Sequence, residues 1–273
     1  MTTVVPSGKA RLRVEGGGSG VPVVFLHAGV ADRRMWRDQL DEFALHAVQF
    51  RTLAYDRRGF GETPHADEPY SHVGDLFAML DTVAAGEPAI LVGCSQGGRI
   101  AIDAAVAEPG RVRALVLVAP AISGAPAVDS FPAAIVALLE ALERAETAGD
   151  VDGINALEAH AWLDGPAVTE GRVAGPAREL FLAMNGIALR AVPRGREIEP
   201  KPAYARLRQI AVPTLVMWGE LDFPHLVARC EHLAAHVPRA QTHVFRNAAH
   251  LPNLEYPDAF NRALVGFCEA VAR

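Results

Sequence analysis

Ala89–Cys94 and Ala114–Ala119 are almost unbroken aliphatic runs of strand length. A strand with one face in water alternates apolar and polar residues. Runs like these belong to strands covered on both faces, as in parallel sheets held between helices. Val21–His27, Gln49–Asp56, Pro213–Gly219 and Thr242–Arg246 read as further strands, and Ala10–Glu15 as a short antiparallel edge strand. Val73–Ala85, Gly97–Glu108 and His225–His236 carry helical periodicity between them. Strand–helix alternation of this kind predicts an α/β fold with helices on both faces of a mostly parallel sheet.

The alternation stops from Ala121 to Arg208. There the pattern is helical, over Ala133–Ala148, Gly153–Trp162 and Ala177–Ile187, and is punctuated by Gly149-Asp150, Gly165-Pro166 and Gly175-Pro176. We therefore expect residues 1–120 and 209–273 to form the sheet-containing core. Residues 121–208 are expected to be a helical cap over one sheet edge.

Composition narrows the function. The net charge is −6, Lys9 and Lys201 are the only lysines, and no basic run offers a phosphate-binding face, so a nucleic-acid partner is not expected. No apolar stretch reaches the roughly 20 residues of a membrane helix. Met1 to Gly20 lacks the charged start and apolar run of a signal peptide. Cys94, Cys230 and Cys268 are odd in number and widely spaced, which fits neither a disulfide framework nor a metal site. A reducing cytoplasm is the expected setting, and no metal is expected.

Between the run at Ala89 and the helix after it lies Gly93-Cys94-Ser95-Gln96-Gly97-Gly98, a G-x-S-x-G sequence in strand-to-helix context. A serine on so sharp a turn is held in a strained conformation with its Oγ exposed. Small flanking residues let helix and strand pass closely. The free N–H groups of the helix start face any oxyanion that develops, and Gln96 N–H is the first expected donor. Cys94 is the rival nucleophile, but strand alternation turns it away from Ser95, and a small buried hydrophobe is its ordinary role.

A serine hydroxyl needs a base, and the base an orienting acid, in the chain order serine, acid, histidine. Asp222 follows one strand and His250 another, so both belong on the sheet edge that carries Ser95. Glu220 is the alternative acid. His65, His72, His225, His232, His236 and His243 are expected at the surface, and His46 and His160 in solvent. His27 is expected to brace its loop. Asp56–Gly61 lacks the signature of a phosphate loop and reads as a structural turn held by charged groups.

The turn at His27, the Asp-x-Arg-Gly-x-Gly stretch at Asp56–Gly61, the elbow at Ser95, the acid loop at Asp222 and the base loop at His250 together resemble the α/β-hydrolase superfamily. Within it the chain is similar to 3-oxoadipate enol-lactonases, cofactor-free haloperoxidase-type esterases and carbon–carbon bond hydrolases. The resemblance implies an eight-stranded sheet with a helical cap and a triad of Ser95, Asp222 and His250. It also implies oxyanion donors at Gln96 and Gly29. The family has glycine after the strand-ending histidine where this chain has Ala28. The second donor is thus open among Gly29, Ala28 and Val30. Relatives that use aspartate at the elbow, the haloalkane dehalogenases and epoxide hydrolases, are disfavoured by Ser95.

Three functions compete. The first is hydrolysis of an ester or lactone of a small, partly apolar substrate through an acyl-enzyme, without cofactor. The second is carbon–carbon bond hydrolysis of a vinylogous diketone. The third is ligand binding without turnover. Ala28, Val30, Trp162, Met184 and Leu251 are the expected pocket residues. Phe131, Leu139, Leu142 and Leu163 are alternatives that packing within the cap also explains. Arg190, Arg194 and Arg196 are expected in solvent, with a substrate carboxylate as their other possible partner. No feature of the sequence sets an oligomeric state.

Overall fold

The computed structural model describes residues 2–273. Its strands in chain order are β1 (Thr2–Ser7), β2 (Ala10–Gly18), β3 (Val21–Leu26), β4 (Phe50–Tyr55), β5 (Pro69–Tyr70), β6 (Ala89–Cys94), β7 (Val112–Val118), β8 (Arg196–Glu197), β9 (Thr214–Gly219) and β10 (Ala240–Phe245). The helices are α1 (Arg37–Ala44), α2 (His72–Val83), α3 (Gln96–Ala107), α4 (Ala133–Ala148), α5 (Val151–Ala159), α6 (Pro176–Arg190), α7 (Pro224–His236), α8 (Pro252–Glu255) and α9 (Pro257–Ala272). Eight strands form one sheet in the order β1-β2-β4-β3-β6-β7-β9-β10. The β1–β2 and β2–β4 pairs are antiparallel, and the rest are parallel.

The two faces of the sheet follow from period-two alternation within the central strands. Val24, Leu26, Leu91, Leu115, Leu117, Val216 and Trp218 point to one side and pack with α2, α3 and α7. Val23, Phe25, Ile90, Val92, Val116, Val118, Leu215 and Met217 point to the other, where Trp36, Phe43 of α1 and Phe260 and Leu264 of α9 meet them. Both sets are apolar because both faces are covered. Each such side chain, fully buried, contributes roughly 1.5–3 kcal/mol relative to exposure.

The expected strands are present, with three additions, β1, β5 and β8. Only Val5 of β1 is buried, so that strand shows no periodicity. The two-residue strands β5 and β8 pair outside the main sheet and are too short to leave a pattern. Apart from β8, the regular structure between β7 and β9 is helical: α4 packs on α5, and α5 on α6. The helix expected to end at Trp162 instead finishes in a single π-turn over His160–Asp164. Among the described residues no helix is long and apolar enough to cross a membrane.

One close approach governs the centre. A Cβ added at Gly97 would lie 2.2 Å from the Leu26 carbonyl oxygen and 2.8 Å from that of His27. Both obstacles are backbone, so α3 would have to retreat from β3. Gly97→Ala should cost about 2–3 kcal/mol, or roughly 5–10 °C in Tm for a chain of this size. Thermal unfolding followed by circular dichroism checks this, and an unchanged Tm would contradict the close packing.

Candidate active site

Parallel strands bring their C-terminal ends to one edge, and there β3, β6, β9 and β10 release the turn after His27 and the loops carrying Ser95, Asp222 and His250. Ser95 has φ 52° and ψ −113°, a backbone region that L-residues avoid. Such a conformation costs on the order of 1–3 kcal/mol and persists only where neighbours over-determine it. Ser95 N–H donates to the Val118 carbonyl at 2.9 Å, and the Ser95 carbonyl accepts from the N–H groups of Arg99 and Ala121, both at 3.0 Å. The side chain projects from the turn at which β6 becomes α3 and is half-buried.

Asp222 and His250 meet: His250 Nδ1 lies 2.7 Å from Asp222 Oδ2, with the two side chains 2% and 0% exposed. The other carboxylate oxygen accepts the Phe223 N–H at 2.7 Å. With a carboxylate at Nδ1, the ring proton resides there and Nε2 is left as the basic nitrogen. Among the described residues no hydrogen bond joins Ser95 Oγ to His250, a contact of the kind that tightens when substrate enters.

The His250 loop is held from two sides. His250 N–H donates to the Trp162 carbonyl at 3.3 Å, and the Trp162 ring packs on the imidazole with centroids 4.8 Å apart. The Ala249 N–H donates to Glu255 Oε1 at 2.9 Å. Burial pushes the Glu255 carboxyl above its ordinary range, and Arg172, paired with its other oxygen, pulls back against that shift. Arg172 also donates to the carbonyls of Leu163, Asp164 and Asn247 at 2.7–2.8 Å. The segment after the π-turn is thereby tied to the histidine loop. Neither Glu255 nor Arg172 was among the expected site residues, since a salt bridge between distant segments leaves no local pattern.

Several expectations need correction or sharpening. Glu220 turns outward and caps the Asn247 N–H at 3.0 Å, so it does not reach His250. Ala28, Met184 and Leu251 have no exposed surface and pack in the core, so they line no open cavity; Trp162 and Val30 are half-buried. His72 is buried against Glu197, not at the surface. Arg190 is tied to Asp152 and the Gly186 carbonyl, while Arg194 and Arg196 are exposed. A groove of about 620 Å³ lies between Gly59–Pro64 and α6. Neither Ser95 nor His250 lines it. Among the described residues no three His, Cys, Asp or Glu side chains gather as a metal-ligand set.

Cys94 is fully buried, with its Sγ 3.9 Å from the His250 carbonyl oxygen. Burial pushes its thiol upward, as it does those of Cys230 and Cys268. All three should therefore be silent to a thiol reagent in the native protein and react only after denaturation. Titration with Ellman's reagent, with and without guanidinium, reads this directly.

Gln96, whose N–H is the first expected oxyanion donor, is the first residue of α3. Across from it runs a turn closed by the Ala31 N–H donating to the Ala28 carbonyl at 3.3 Å. The Ala28 N–H is already spent on Met35 Sδ at 3.4 Å. Of the three expected candidates for the second donor, this leaves Gly29 and Val30, the central residues of the turn.

The proteins similar to this chain carry different activities in their descriptions. The chain is 28% identical to the 2-hydroxy-6-oxo-6-phenylhexa-2,4-dienoate hydrolase of Burkholderia cepacia, covering 94% of this chain and 91% of that one. It superposes with a TM-score of 0.76 on a thermophilic esterase from Thermogutta terrifontis, at 24% identity over 100% of this chain and 99% of the other. With Est816, described as an N-acyl homoserine lactone degrading enzyme, the TM-score is 0.70 and the identity 25%, over 97% and 99% of the two chains. A family profile described as "Alpha/beta hydrolase family" matches residues 23–263, and the chain belongs to that family.

Proposed function

We propose that this hydrolase cleaves a carboxylic ester or lactone of a small, partly apolar substrate, with Ser95 as nucleophile, His250 as base and Asp222 as orienting acid. The observation that carries the proposal is the buried 2.7 Å His250–Asp222 pair, delivered to the same sheet edge as a serine held at φ 52°. In this reading Ser95 Oγ attacks the carbonyl carbon while its proton passes to His250 Nε2. The oxyanion is held by backbone N–H groups, Gln96 and Gly29 among them. Collapse expels the alcohol oxygen, which takes the proton from His250. Water, deprotonated by His250, then attacks the acyl-enzyme and releases the acid. The helical segment between β7 and β9 acts as a cap and places Trp162 beside the base. The three unpaired cysteines support a reducing, cytoplasmic setting.

The esterase and lactone-degrading neighbours support an ester or lactone substrate. The dienoate hydrolase relative favours a second reading, hydrolysis of a carbon–carbon bond in a vinylogous diketone by the same residues. A binding protein without turnover has no use for a buried carboxylate aimed at a histidine beside a strained serine.

The test is a fluorophosphonate probe with peptide mapping, followed by a panel of short p-nitrophenyl esters, enol-lactones and a dienoic diketone. Labelling at Ser95 with ester or lactone turnover is expected. Turnover of the diketone alone would overturn the ester and lactone assignment, and absence of labelling would overturn the enzyme reading.

A further inference from the structure

Asp56, Arg57 and Arg58 stand together after β4, yet their side chains do different things. Asp56 accepts the backbone N–H groups of Arg33 and Glu62 and pairs with the Arg33 guanidinium. Arg58 pairs with Asp75 at 2.8 Å and Glu68 at 2.7 Å. Both are structural, as expected of this turn. Arg57 is 1% exposed, and among the described residues no carboxylate pairs with it. Burial lowers its pKa to about 10, which still leaves it a cation at neutral pH. A buried cation with no carboxylate in contact, Glu197 acting only from a distance, is costly to keep, so its partners matter.

Those partners are the two walls of the oxyanion site. Nη1 donates to Gln96 Oε1 at 2.7 Å. Nη2 donates to the carbonyls of Ala28 at 3.0 Å and His27 at 3.3 Å. The Phe60 ring lies under the guanidinium, 4.4 Å from its carbon, and closes the far side.

His27 completes the arrangement. Its Nε2 accepts the Arg57 backbone N–H at 3.1 Å, so the ring proton is on Nδ1 and donates to the Ala28 carbonyl at 2.8 Å. Burial, reinforced by the Arg57 charge, keeps this imidazole neutral. The Ala28 carbonyl is therefore held by the guanidinium, the imidazole and the Ala31 N–H together. In a trans peptide the C=O and the following N–H point in opposite directions. Holding the Ala28 oxygen on the Arg57 side turns the Gly29 N–H to the other side, and among the described residues no acceptor takes it. A Cβ added at Gly29 would stand 3.3 Å from Gln96 Oε1, so the two walls are in contact through the group that Arg57 holds.

We propose that Arg57 is a positioning residue for the oxyanion site: its guanidinium fixes the Ala28–Gly29 peptide and the Gln96 side chain so that the Gly29 and Gln96 N–H groups converge, and its unpaired charge polarises both toward the tetrahedral anion. Gly29, and not Ala28 or Val30, is then the second donor. The inference rests on Ser95 acting as a nucleophile.

The experiment compares wild type with Arg57→Met, Arg57→Gln and Arg57→Lys, using whichever p-nitrophenyl ester the panel selects and butylboronic acid, which forms a tetrahedral anion on a reactive serine. For Arg57→Met, kcat should fall about 100-fold, the scale of losing one oxyanion donor, with KM changing less than threefold. Boronate affinity should weaken by a similar factor. Arg57→Lys keeps the charge but loses the fork, and should recover about tenfold of the lost rate. In ¹⁵N-labelled wild type, the Gly29 and Gln96 amide protons should move downfield on boronate binding, and the Ala28 amide should not. This last measurement holds even where a variant fails to fold. Folded Arg57 variants with kcat within threefold of wild type, a loss confined to KM, or a boronate response at Val30 in place of Gly29 would each overturn the proposal. A wild-type protein that neither labels at Ser95 nor binds boronate overturns the serine-hydrolase reading instead.

Discussion

Ser95→Ala should lower kcat for ester or lactone cleavage by roughly 10⁴–10⁶-fold, the range seen when the nucleophile of a catalytic triad is removed. Fluorophosphonate labelling should vanish with it. The fold should not change. Alanine retains the Cβ that makes φ 52° unfavourable, and the hydrogen bonds that impose this conformation belong to the backbone of Ser95, Val118, Arg99 and Ala121. The variant should therefore melt within about 2 °C of wild type, since no buried group is lost and 1 kcal/mol moves Tm by about 2–4 °C at this size. The measurement is kcat against an active-site titration, so that trace wild-type enzyme is not mistaken for residual activity. A variant that kept more than about one hundredth of the rate would require another nucleophile, and buried Cys94 is poorly placed to be one.

Asp222→Asn should lower kcat near neutral pH by about 10⁴-fold, the scale of a triad left with the wrong imidazole tautomer. The surroundings decide which way the amide sits. Phe223 N–H donates to Asp222 Oδ1, so the amide oxygen must remain there to accept it. The amide NH₂ then faces His250 Nδ1 and can only donate. The ring proton moves to Nε2, the nitrogen that has to take the Ser95 proton, and the base is blocked. Loss of activity at pH 7 with partial recovery at high pH, where hydroxide replaces the missing base, is the expected profile. Stability should fall modestly at most, because both hydrogen bonds retain partners. A rate within tenfold of wild type would mean that Asp222 does not set the tautomer.

The parts of this protein that could be read from its residues share one property: their cause is local. Ala89–Cys94 reads as a doubly covered strand because every side chain in it is apolar, and the structure buries all six. The elbow is legible because a strained turn needs small residues within two positions of the serine. Asp222 and His250 are legible through topology, since parallel strands place their C-terminal ends together. Arg57, Glu255 and Arg172 were not legible. Arg57 sits between two charged residues that are structural, and its distinction is a missing counter-ion, which is a property of three-dimensional surroundings. The Arg172–Glu255 pair joins residues 83 positions apart. Met184 and Leu251 were read as pocket walls because an apolar residue near a site looks the same whether it faces ligand or core.

The attachment of Trp162 and Arg172 to the histidine loop has a consequence for how this enzyme can diversify. The stretch from the π-turn to Arg172 supplies a carbonyl to the His250 N–H, a ring to its imidazole and a guanidinium to the carboxylate that holds Ala249. If the proposed triad is at work, selectivity and rate should be coupled there. A substitution in residues 160–172 should also move the His250 loop, whereas among the described residues α4 makes no hydrogen bond or ion pair to that loop and reaches it only through the packing of Ile135 and Leu138 against Ala161, Trp162 and Phe223. New specificities should therefore be sought by grafting or randomising α4 and its flanking loops, with residues 160–172 kept as an invariant collar around the chemistry.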